Sequence, residues 1–120
     1  MSKIVQAVNA MIFNQSKITQ VTKSLESNEL YFIYNHKYVW SIVKSEDEYS
    51  LFYYPNYSDI SKLLLIEDYN WDTIDLVRYS TKEIGTKEAR STFAELYNIV
   101  NENLFGINNI LDEIIEDMPF

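Results

Sequence analysis

The chain has 120 residues, of which 47% are hydrophobic and 23% charged, with a formal net charge of −8 and no cysteine. This balance fits one α+β domain spanning 1–120 and excludes a disordered chain. The lack of cysteine excludes disulfides and thiolate-held zinc or iron–sulfur centres, and no run approaches the roughly 20 apolar residues of a membrane-spanning helix.

In chain order, the first element reads as a helix, with Ile4, Val8, Met11 and Ile12 at three- and four-residue spacing and Ser2 as its N-cap. Ile18, Val21 and Leu25 continue the stripe past Asn14-Gln15-Ser16. Unbroken from 3 to 27, such a helix would run about 37 Å, more than the ~35 Å breadth of a compact domain of this length. The expectation is a bend or break near Ser16, with Ser16 capping a second helical segment.

From Glu29 the pattern changes. Leu30–Tyr34, Tyr38–Val43 and Tyr49–Tyr54 are aromatic and β-branched runs separated by Asn35-His36-Lys37 and Ser45-Glu46-Asp47-Glu48. They predict a three-stranded antiparallel meander, ended by Pro55, with Phe32, Trp40 and Phe52 in its core. Ser58-Asp59 can cap a short helix through Leu65, although Leu63–Ile66 fits a strand equally well. Thr73–Ser80 alternates as a fourth strand. Thr86 is the expected N-cap of a helix with Ala89, Phe93, Leu96, Tyr97, Val100 and Leu104 on one face, ended by Gly106 in a left-handed conformation. Ile107, Ile110, Leu111, Ile114, Ile115 and Met118 form a second helical stripe, closed by Pro119. The expected architecture is a helical N-terminus, an antiparallel sheet of about four strands, and two C-terminal helices packed on one face.

Charge is unevenly placed. Residues 1–45 hold five Lys and two Glu, net +3, whereas residues 46–120 hold five Lys or Arg and sixteen Asp or Glu, net −11. Such a surface repels phosphate backbones, disfavouring direct nucleic-acid binding, and attracts a basic protein; it also serves solubility alone. The richness in Ile, Asn, Lys and Tyr is that of an AT-rich coding sequence, as in a low-GC bacterium or its phage. The first residues lack the apolar run of a signal peptide, so a cytoplasmic protein is expected and the Asn-x-Ser sequons at Asn14 and Asn56 carry no weight.

Chemical motifs are few. Asp68-Tyr69-Asn70-Trp71-Asp72 matches the first half of a calcium loop, but Thr73 stands where the turn needs glycine and Tyr79 where a bidentate glutamate belongs. No metal or cofactor is expected. Glu67, Asp68, Asp72 and Asp75 are clustered acids without a nearby histidine, and the sole one, His36, falls in a hairpin turn. With two glycines in the chain, no phosphate cradle exists.

The aromatic band from Tyr31 to Tyr57 holds ten rings, more than one face of a meander buries. Outward tyrosines favour partner contacts, or stabilise an exposed face by cross-strand pairing. On the last helix Asp112, Glu113, Glu116 and Asp117 crowd the end where the helix dipole disfavours negative charge. These features give the leading expectation: a non-enzymatic interaction module binding a basic protein surface through Tyr31, Tyr53, Tyr54, Tyr57, Asp112, Glu113, Glu116 and Asp117. An inhibitor or immunity protein, or a phage counter-defence protein, blocking a nucleic-acid-binding partner would have this character. The alternatives are a small-molecule-binding domain with an aromatic pocket between sheet and helices, and a divalent-metal hydrolase using the acids of 67–75.

Overall fold

The computed structural model describes residues 2–25, 27–66 and 72–119. Helix α1 (Lys3–Phe13) starts at Ser2, whose hydroxyl accepts the Val5 N–H at 3.4 Å, and buries Val5, Val8 and Met11. Asn14 closes it: its backbone N–H and its side-chain amide both donate to the Ala10 carbonyl, at 2.9 and 3.0 Å. A single 3-10 turn (Gln15–Lys17) then leads into strand β1 (Ile18–Lys23).

The break at Ser16 is therefore present, but no second helical segment follows it. The reason lies in the backbone of β1. Gln20 takes φ 54° and the pairing register with the next strand slips by one residue between Thr19 and Thr22. That β-bulge brings Ile18 and Val21 to the same core although they are three residues apart. A spacing that reads as one helical face in sequence is here a bulged strand, and Leu25 beyond it is 95% exposed.

Strands β2 (Leu30–Tyr34), β3 (Tyr38–Ser45) and β4 (Glu48–Tyr53) form the expected meander. The three-residue β2–β3 connection takes Asn35 and His36 at φ 55° and 62°, and the Lys37 N–H donates to the Tyr34 carbonyl at 3.3 Å to close the turn. With β1 on one edge and β5 (Val77–Ser80) on the other, the sheet has five antiparallel strands in sequence order, one more than the expected four. Of Thr73–Ser80, the last four residues form strand.

Both faces of this sheet are covered. Leu30, Phe32, Ile42 and Leu51 point toward α1 and α4 (Lys87–Phe105), meeting Val5, Val8, Phe93, Leu96 and Val100. Tyr31, Ile33, Val39 and Tyr54 occupy the opposite face against Ile60 and Leu63 of α2 (Ile60–Leu64). The Asp59 carboxylate caps α2 by accepting the Ser61 N–H at 3.0 Å, which also holds that carboxyl below the usual range. Residues 60–64 are thus helix, with Ile60 and Leu63 inward and Leu64 outward.

The expected core trio of Phe32, Trp40 and Phe52 divides. Phe32 pairs with Trp40, and Trp40 with Tyr53, so Phe52 faces the other way and packs on the α2 side. Phe32 is fully buried, whereas Trp40 is half-buried, its ring tilted 45° against that of Tyr53 with centroids 4.8 Å apart.

After β5 comes the single turn α3 (Thr81–Ile84), closed by Gly85 at φ 75°. The Thr86 hydroxyl accepts the Ala89 N–H at 3.1 Å and starts α4, which ends at Gly106 with φ 61°. Helix α5 (Ile107–Glu116) follows directly. Of the two C-terminal helices, α4 lies on the sheet; α5 leaves it, with every residue from Asn109 to Pro119 exposed. The radius of gyration of 15.6 Å exceeds the ~13.6 Å of a compact domain this long, as an element standing off the body requires.

Phe32→Ala should cost about 3–5 kcal/mol in urea unfolding, the range for truncating a fully buried large aromatic. Trp40→Ala should cost distinctly less, because part of its ring is already in water. Equal losses would place Trp40 as deep as Phe32.

Candidate interaction surface

Helix α5 carries the most exposed apolar side chains of any element. Ile110 and Leu111 are 46% and 48% exposed, and Ile114, Ile115 and Met118 are 56–60% exposed. At 100° per residue, Ile107, Ile110, Leu111, Ile114 and Ile115 fall within an arc of about 140°, and Met118 follows just past the end of the helix. A soluble body normally turns such a stripe inward. Asp112 lies beside one border of the arc, Glu113 and Asp117 beside the other, and Glu116 opposite.

No base offsets these acids. Beyond Arg90 the chain has Glu95, Glu102, Asp112, Glu113, Glu116 and Asp117 and no Lys, Arg or His. The ion pairs among the described residues, Arg78–Glu83 at 3.0 Å and Arg90–Glu48 at 3.1 Å, lie on other elements. All four acids expected to meet a partner are thus exposed, three on α5 and Asp117 at its C-cap.

The tyrosines expected beside them separate. Tyr31 and Tyr54 are 2% and 1% exposed, so their assignment as outward partner contacts is corrected: they belong to the core on the α2 side. Their hydroxyls are satisfied there by Glu29, whose Oε1 accepts from Tyr31 (3.2 Å) and Oε2 from Tyr54 (3.1 Å). Ser41, itself fully buried, donates to the same carboxylate and lies 2.9 Å from the Tyr54 hydroxyl. Burial first, then the negative charge of Glu29, pushes both phenols well above their ordinary value. Tyr57 is half-buried against that core. Tyr53 remains half-exposed, between Trp40 and Tyr38 on the opposite face.

A second polar cluster joins the β3–β4 turn to α4. Glu48 accepts from the Thr81 hydroxyl and from Arg90 (3.1 Å), and Thr81 in turn accepts the Tyr49 N–H at 2.9 Å. The Thr81 hydrogen bond, followed by the Arg90 charge, holds the Glu48 carboxyl below the usual range. Beside it lies an open depression of about 390 Å³, lined by Asp47, Tyr49, Lys87, Arg90, Ser91 and Ala94.

Asp68, Tyr69, Asn70 and Trp71 of the calcium-like segment, and Glu67, lie outside the described residues. Asp72 is exposed, and Asp75 accepts from the Asn56 amide at 2.9 Å. Among the described residues no three His, Asp or Glu side chains gather closely enough to hold a metal ion, and no helix is long and apolar enough to cross a membrane. His36 is exposed in its turn.

The chain matches no family model, no curated protein and no solved structure, so the reading of this surface rests on its own residues. Sequence reasoning found the acids of α5 but took its apolar stripe for core. It also missed Glu29, whose position just ahead of the continuous apolar run Leu30–Ile33 is the available signal.

The raised phenols give a pH dependence with a definite sign. Below about pH 10 the tyrosines are protonated in both folded and unfolded chains, and their contribution to stability is fully present. Above it the unfolded chain ionises first, so stability should fall as pH rises toward the folded values. Tyr54→Phe should cost about 1–2 kcal/mol at neutral pH, through the lost hydroxyl bonds, yet flatten this alkaline loss. Urea midpoints measured at neutral and alkaline pH test both parts, and an identical alkaline slope in the variant would show that this phenol is not linked to unfolding.

Proposed function

We propose that the chain is a non-enzymatic interaction module whose acidic arm engages a basic surface on another protein. The observation that carries this reading is the charge distribution: six acids and no base after Arg90, with three of the acids on α5 and a fourth at its C-cap, all of them exposed. Opposite charge steers association and suppresses wrong partners, and an arm clear of the body presents its charge without desolvating the core.

A basic protein surface commonly serves to bind nucleic acid, because neutralising phosphates is what clustered Lys and Arg do. An acidic arm laid on such a surface competes with the phosphates. Inhibition of a nucleic-acid-binding protein, in the manner of an immunity or counter-defence protein, is the role that follows from this competition. Tyr53 beside Trp40, and Tyr57, are the expected tyrosines that remain partly exposed for a partner contact.

The test uses Glu116→Lys with Asp117→Lys in the full chain. Helix α5 itself should gain up to about 1 kcal/mol per site at low salt, read as added helical circular dichroism, since the helix dipole favours cations at that end. Association with a basic protein captured by the wild-type chain should slow and lose its salt dependence, and the wild-type chain should displace nucleic acid from that protein. A rate unchanged at both low and moderate salt would remove the arm from the interface.

A further inference from the structure

The acids explain attraction to a basic surface but not the apolar stripe between them. We propose that α5 docks as a helix into an apolar groove whose two rims carry Lys or Arg, on a protein other than this chain. The proposal deepens the basic-partner reading and rests on it. Recognition of a helix in a groove uses anchors at i, i+3 or i+4, and i+7, and Ile107, Ile110, Leu111, Ile114 and Ile115 supply that series.

The acids define the rims. By helical geometry Asp112 lies about 60° beyond Ile115 on one side of the stripe, and Glu113 about 60° beyond Ile110 on the other. Each therefore flanks the buried strip, where a partner's cation can reach it without entering the groove. Glu116, opposite the stripe, faces water in the complex and contributes long-range attraction.

Three other occupants fit less well. A second copy of α5 would bring only acids against acids, and like charges across a helix pair oppose association. The chain's own body does not cover the stripe: α5 meets chiefly the end of α4, and its residues from Asn109 onward are exposed. An anionic membrane is disfavoured because helices that lie in that interface carry Lys and Arg on the polar face, and α5 has none.

The experiment uses the full chain and a synthetic helical peptide with leucine at heptad a and d positions and lysine at e and g, with a glutamate-for-lysine peptide as control. The wild-type chain should sediment as a monomer, bind the lysine peptide and ignore the glutamate peptide and anionic phospholipid vesicles. Ile110→Gln with Ile114→Gln should leave the melting temperature unchanged and weaken peptide binding by roughly tenfold or more, as truncation of central anchors does. Undiminished binding by this variant would overturn the groove while leaving the basic-partner reading standing. A lowered melting temperature would show that the stripe packs internally, and a wild-type dimer dissolved by the variant would make a second copy the occupant; either overturns the proposal. Failure of the wild-type chain to bind the lysine peptide, equal binding of the glutamate peptide, or binding to the vesicles would also sink it. Glu113→Lys with Glu116→Lys separates the two levels: if it leaves peptide binding intact, the basic-partner reading falls as well.

Discussion

Strand β2 buries both of its faces, and the rest of the fold follows from that. Leu30, Tyr31, Phe32 and Ile33 are all inaccessible, so the sheet must be covered on both sides along this strand. A strand in that position reads as a continuous apolar run, without the alternation of a half-exposed sheet. One cover is α1 crossed with α4; the other is the segment after β4, whose α2 inserts Ile60 and Leu63. Burying tyrosines on the second side creates a polar demand, since an unpaired hydroxyl in an apolar layer costs about 1–3 kcal/mol. Glu29 meets it for Tyr31 and Tyr54, with Ser41 drawn into the same cluster. Much of the aromatic band is therefore architecture.

The parts of this fold that were legible in sequence are those set by local chemistry. The three central strands announce themselves through β-branched and aromatic runs between turn residues. Ser2, Asp59 and Thr86 cap the helices they precede, and Gly106 ends α4 in the left-handed region, because each choice depends on a few neighbouring atoms. What stayed hidden depends on register and tertiary partners. The bulge at Gln20 turned a strand's spacing into an apparent helical one. Phe52 and Trp40 lie on opposite faces because of a pairing register that neither residue encodes alone. The division of the tyrosines into buried and half-exposed sets required knowing where Glu29 sits. For the surface, the acids of α5 were visible as a breach of dipole preference, but its stripe was indistinguishable from a core helix until the structure showed Ile110, Leu111, Ile114 and Ile115 exposed.

The body of the protein is complete before α5 begins. The core on the α4 side closes with Val100, and partly buried Leu104 is the last side chain packed against it. Gly106, at φ 61°, then turns the chain with no neighbouring atom within 4 Å of the position a Cβ would take. Nothing in the packing of the sheet calls for the ten residues that follow.

Nor does α5 sustain itself well. It has no side-chain N-cap, no acid in its first turn and no base in its last. Its acids crowd the end where the dipole opposes them, and without a Lys or Arg they form no stabilising i,i+4 pair. Helices shorter than about 12–15 residues are marginal in water even with favourable sequences. What α5 does have is a well-formed apolar face, and burying such a face returns about 25 cal/mol for each Å² removed from water. A segment that breaks the rules of local stability while keeping strict amphipathic spacing is organised around a contact supplied from outside. Its helical state and its docking are then linked: whatever covers the stripe also stabilises the helix, and the acids that weaken the free arm are offset when cations on the partner face them. The same linkage makes the arm selective, since an apolar groove without basic rims would leave the carboxylates unpaired at its edge.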